Sequence, residues 1–144
     1  MSLPTDAEIA QYRNDGAICL RGAFSGDWIE RLRAAVDQDM KVPGPMVRIN
    51  TPKDAPGLFF VDFQLWQRHP EARGFVYESP AREIAARLMG STEVVYYHDH
   101  LLVKEPGTQE RTPWHHDQPY YPIDGEQIVS LWLPLDPVDR ATCV

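Results

Sequence analysis

Near Gly90 the hydrophobic pattern of this chain changes period, and that change limits its folds more than any other feature. Upstream, apolar residues recur at helical spacing between recognisable caps; downstream, they alternate as in strands. Thr5 and Glu8 have capping-box spacing, Ile9 and Tyr12 share a face, and Gly16 offers a left-handed stop, so Leu3 to Gly16 is predicted as a helix. A short strand is predicted over residues 17–21. A second helix follows from Asp27 to about Asp39, with Trp28, Leu32, Ala35 and Val36 on one face and Trp28 assigned to core packing. Between Lys41 and Gly57 prolines and glycines break the periodicity. They predict a surface connection with a short strand at residues 46–49, read either as an ordinary extended loop or as a lid facing substrate. Residues 58–63 read as a strand, residues 64–66 as a helical turn and residues 71–78 as a short helix. Ser79-Pro80 opens a further helix that buries Ile84 and Leu88 and ends near Gly90. Such a helical layer tends to cover one face of a sheet.

The downstream part is predicted as strands. Residues 92–104 place Val95, Tyr97, Asp99, Leu101 and Val103 on one face, and Tyr96, His98, His100, Leu102 and Lys104 on the other. Both faces carry polar groups, which suits a wall of a polar cavity. After a turn at Asp124-Gly125, residues 127–135 give the clearest alternation in the chain, with Pro134 suited to a strand end.

With 144 residues, 43% of them apolar and 24% charged, one domain with a respectable core is expected. The formal charge of -7 argues against a nucleic-acid groove or an anionic membrane surface as partner. Cys19 and Cys143 suggest neither a disulfide framework nor a zinc module, and with no secretory signal visible a reducing, cytoplasmic setting is expected. No apolar run approaches the roughly 18 to 20 residues of a spanning helix.

The segment Trp114-His115-His116-Asp117 carries the candidate chemistry. On a strand or at its rim, His115 and Asp117 point to the same side and His116 to the other. An imidazole and a carboxylate that converge form two corners of a 2-His-1-carboxylate triad, which holds non-haem Fe(II) and leaves positions open. From these residues alone, a solvated turn in which His and Asp hydrogen-bond locally is the competing reading.

Trp114-His115-His116-Asp117-Gln118-Pro119-Tyr120-Tyr121, then Ser130 to Leu135 and Asp136-Pro137-Val138-Asp139-Arg140, resembles the phytanoyl-CoA dioxygenase family of Fe(II)- and 2-oxoglutarate-dependent oxygenases. Tyr12 to Gly16 and Leu101 to Gly107 extend the resemblance. It implies a mainly β fold with flanking helices: a double-stranded β-helix, or cupin-like jelly roll, incomplete in residues 1–144. It also implies that His115 and Asp117 are catalytic iron ligands. The third family ligand, a His after a Pro-Gly-Ser-like turn, and the Arg that clamps 2-oxoglutarate have no match here. The remainder of the domain is therefore expected beyond residue 144, or from a second chain, and residues 1–144 alone are expected to be inactive.

For the intact protein the resemblance implies a small-molecule substrate, dioxygen and 2-oxoglutarate, with hydroxylation of an aliphatic carbon, succinate and carbon dioxide as products. Asp117 argues against halogenation, because halide-using relatives carry a small residue at that position. Trp132 and Asp99 are the expected cosubstrate contacts, the first competing with plain core packing and the second dependent on strand register. His98 and His100 would replace Asp99 after a shift of one residue. Tyr120 and Tyr121 would rim the pocket, Gln118 would support a ligand, and His116 would meet backbone or substrate. Lys104 and Arg111 are read as solvated charges ahead of acyl anchors. A cupin-like binding or structural module without catalysis is the alternative. A zinc hydrolase lacks both a third ligand and a general-base motif.

Overall fold

The computed structural model describes residues 3–139, and Arg140 and Cys143 lie outside the described residues. The helical part follows its sequence signals closely. Helix α1 (Asp6–Asp15) starts at a complete capping box, with the Thr5 hydroxyl accepting from the Glu8 amide and the Glu8 carboxylate accepting from the Thr5 amide. Gly16 ends it at φ 77°, a conformation glycine adopts without strain. Helix α2 (Gly26–Lys41) is followed by the two-residue strand β1 (Arg48–Ile49) and by β2 (Phe59–Phe63). Helices α3 (Leu65–Arg68), α4 (Pro70–Glu78) and α5 (Ala81–Met89) come next, and Gly90 closes α5 in the left-handed region. Strand β3 (His100–Lys104) is the last regular strand, and Gln118–Tyr120 forms a 3-10 turn.

The strands form one antiparallel sheet in the order β1-β2-β3, with Arg48 opposite Val61 and Phe63 opposite His100. Strand alternation then puts Arg48, Phe59, Val61, Phe63, His100, Leu102 and Lys104 on one face. The other face meets the helices: Leu101 packs on the cluster of Ala35, Leu65 and Ala72, with Leu32 beside it. A second cluster of Ala23, Ile84 and Leu88 gathers Ile9, Tyr12 and Phe24. Trp28 lies edge-on to Phe75 at 5.8 Å and so takes the packing role expected of it.

This architecture corrects the expected fold. The described residues form a mainly α-helical unit with a small open sheet, not a double-stranded β-helix or jelly roll. Residues 17–21 and most of 92–104 are not in strands, and residues 127–135 have no ladder partner among the described residues. The last segment is instead tied to helices through side chains. Val129 joins the Ile84–Leu88 cluster, Gln127 donates to the Met89 carbonyl at 3.2 Å, and Arg33 of α2 donates from Nε to the Leu135 carbonyl at 3.0 Å. Alternation makes a segment suitable for pairing but supplies no partner, and contacts to α2 and α5 anchor this one at Gln127, Val129 and Leu135. Among the described residues, no helix is long and apolar enough to cross a membrane.

Candidate metal centre

The Pro113–Asp117 segment leaves β3 by a turn at Pro106-Gly107 and ends at the 3-10 turn. It is a turn rather than a strand, yet it brings the two expected ligands together. His115 Nε2 lies 3.4 Å from Asp117 Oδ1, with both side chains partly open to solvent. The Nδ1 atom of His115 is 2.8 Å from the Pro113 carbonyl oxygen. A carbonyl can only accept, so Nδ1 is the donor in this contact, and Nε2 is the ring nitrogen turned towards Asp117. A hydrogen bond that orients the ring in this way is what a metal-ligating imidazole needs from its surroundings.

On the far side of Asp117, Ser130 Oγ donates to Oδ2 at 3.3 Å, which leaves Oδ1 facing the imidazole. The Tyr121 phenol interacts with Ser130 and Asp117; burial first, and the Asp117 charge after it, raise Tyr121 above its ordinary range. Tyr121 also stands edge-on to Tyr97 at 5.5 Å and to His98 at 5.6 Å, joining the turn to the segment before β3. Next to these, the His100 ring stacks on Phe63, centroids 4.2 Å apart with planes 14° from parallel. Desolvation against that ring and the nearby His98 lower the His100 pKa from 6.5, and Asp117 and Asp99 oppose the shift.

The other expected positions divide. Trp132 is 63% exposed on the extended segment and packs into no core cluster. Asp99 is engaged with protein groups: Oδ1 accepts from the Leu65 amide at 2.6 Å, and Oδ2 from the Trp66 amide at 3.0 Å and the Tyr96 hydroxyl at 3.1 Å. It thereby satisfies the first amides of α3, and burial and the Asp99 charge push the Tyr96 phenol strongly upward. Gln118 donates to the Ile123 carbonyl, away from the ligand pair. Lys104 Nζ lies 4.6 Å over the Phe59 ring and donates to Thr112 Oγ1 at 3.3 Å.

Two features lay outside the sequence expectations. Ser130 reaches Asp117 across 13 residues, and nothing local in the sequence marks it. The second is a charged cluster under the sheet. Arg68 pairs with Asp39, and with Asp62 at 3.0 Å, while His69 Nε2 lies 2.9 Å from the same Asp39 oxygen. Both carboxylates are fully buried. Burial raises the Asp39 pKa, and His69 and Arg68 pull against it. A carboxylate in the middle of the apolar strand Phe59–Phe63 was the available signal.

The phytanoyl-CoA dioxygenase (PhyH) family model matches residues 12–143, most of the chain. The chain belongs to the phytanoyl-CoA dioxygenase family. No curated protein and no solved structure matches it. Within this family member, no group of three His, Cys, Asp or Glu side chains among the described residues could hold a metal ion. The donor set among the described residues is therefore a pair: one imidazole nitrogen and one carboxylate oxygen. Both donor types suit Fe(II) in a facial site, and the pair fits two of its three protein positions.

Proposed function

We propose that His115 and Asp117 are two of the three iron ligands of an Fe(II)- and 2-oxoglutarate-dependent oxygenase that hydroxylates an aliphatic carbon of a small or medium-sized organic molecule. Membership of the phytanoyl-CoA dioxygenase family supports the oxygenase class. The observation that carries the site is the approach of His115 Nε2 to Asp117 Oδ1 at 3.4 Å, with Nδ1 already committed to a carbonyl. Among the described residues no third metal donor joins this pair.

When bound, Fe(II) with 2-oxoglutarate and dioxygen supplies the oxidising power, giving succinate, carbon dioxide and a hydroxylated product. The chain's own residues hold and orient. The Pro113 carbonyl holds His115 through Nδ1, which leaves Nε2 as the ring nitrogen assigned to the metal. Ser130 turns Asp117 so that Oδ1 faces the imidazole. Trp132, free on the surface, is assigned to the cosubstrate wall. Asp99 is assigned to holding the segment that leads from His98 into β3, since its oxygens already serve α3 and Tyr96.

One observation favours a second reading, a binding module without turnover: a third metal donor is lacking among the described residues. Anaerobic titration of the full-length protein with Fe(II) and 2-oxoglutarate separates the two. A weak visible charge-transfer band, lost in His115→Ala and in Asp117→Ala, together with succinate release in air, is expected of the oxygenase. Absence of both band and succinate would leave the binding module.

A further inference from the structure

The sheet face turned away from the helices carries an arrangement that the ligand pair does not account for. Arg48, on the edge strand β1, holds its guanidinium carbon 5.8 Å over the Phe63 ring. Phe63 in turn stacks on His100, which lies within electrostatic reach of Asp117. Guanidinium, phenyl and imidazole thus form one continuous run along this face. A groove of about 480 Å³ runs along its start, lined by Pro45, Met46, Val47, Arg48 and Phe63. That volume is of the size that holds a small organic molecule.

The chemistry of the lining is specific. Three lining side chains are apolar or thioether, one is aromatic, and the single charge is Arg48. Arg48 is exposed and lies over the Phe63 ring at the groove. A guanidinium beside an apolar groove is complementary to a carboxylate on an apolar body. The second cation on this face, Lys104, is spent on Phe59 and Thr112.

We infer that this groove binds the organic substrate, that the substrate carries a carboxylate on an apolar body, and that Arg48 is its anchor. The inference rests on the oxygenase reading for the word substrate, but its binding test does not involve the metal. The apolar body lies along Met46, Val47 and Phe63, and the run through Phe63 and His100 leads from the anchor towards Asp117. Arg48 is here a specificity-determining residue: it selects for charge at the end of the ligand remote from the metal.

The test is a metal-free titration of the chain followed by amide NMR shifts, with phenylacetate, its neutral isostere phenylacetamide, and 2-oxoglutarate as probes. Phenylacetate is expected to shift amides of residues 46–48, Phe63 and His100 and to bind at least about tenfold more tightly than phenylacetamide. Arg48→Gln should erase that preference without changing the circular dichroism spectrum, and Arg48→Lys should retain part of it. Equal binding of acid and amide, a preference that survives in Arg48→Gln, or no shift at these positions would overturn the inference. So would shifts there with 2-oxoglutarate and none with phenylacetate, because the groove would then be the cosubstrate's. Failure of iron binding in the separate titration would leave this result standing as a carboxylate site and would remove only the oxygenase.

Discussion

The helical layer and the stretch from Glu105 to Asp139 treat their polar groups in opposite ways. Under the sheet, Asp39 and Asp62 are fully buried and held by Arg68, His69 and the Gly44 amide, which donates to Asp62 at 2.7 Å. In the later stretch His115 and Asp117 meet in the open, amid large apolar side chains that are also open: Trp114 is fully exposed and Tyr120 is 70% exposed. Buried charges that pair with one another fix how helices and strands sit, even with Asp39 Oδ2 and Arg68 Nε left without a hydrogen-bond partner; exposed polar groups are available to something else. The contrast separates the part of the molecule that holds its shape from the part to which we assign its chemistry.

The sharpest way to break this comparison is to remove one side chain from each region. Arg68→Ala strands two buried carboxylates and should cost about 3–5 kcal/mol, a large share of a small domain's stability. Denaturant unfolding would show it as a lower midpoint or as no folded baseline. His115→Ala and Asp117→Ala remove partly exposed groups and should stay within about 0.5 kcal/mol of the parent chain. If the ligand variants unfold the chain and Arg68→Ala does not, the two regions have been assigned the wrong way round.

A smaller effect lies at their boundary, where His100 stacks on Phe63. Its folded pKa is below the unfolded value of 6.5, so the unfolded chain binds the proton more readily. The sign follows: this contribution is complete above pH 6.5 and is lost as pH falls below it. Melting temperatures at about pH 7.5 and pH 5 should therefore drop more for the parent chain than for His100→Gln. An equal drop would place the imidazole in water and not against the ring.

The helical layer was legible in the sequence because its signals are local. Thr5 and Glu8, Gly16, Gly90 and the Ser79-Pro80 pair announce their own helix ends without knowledge of the rest of the chain. Phe59–Phe63 was legible too, as a run of aromatic and β-branched residues. The alternation of residues 127–135 misled, because a strand needs a partner and the sequence of one strand does not name it. What holds that segment is Arg33, far away in α2. The site divides in the same way. His115 and Asp117 do meet, but in an exposed turn and not on a strand, which is the arrangement the competing local reading also expects. Ser130 reaches Asp117 through a tertiary contact that no local pattern encodes, and the pairing of Arg48 with Phe63 is of the same kind. Gly44 is a similar case: a Cβ there would fall 1.6 Å from Arg68 Nη1, so the residue is set by a neighbour remote in sequence.

The central claim is that metal enters at His115 and Asp117, and the most direct measurement is paramagnetic broadening of backbone amides by Mn(II), which substitutes for Fe(II) at such donors. Broadening centred on residues 113–118 of the parent chain, and abolished in His115→Ala, is the predicted result. Broadening centred on His69 and Asp39, or none that depends on His115, would contradict it.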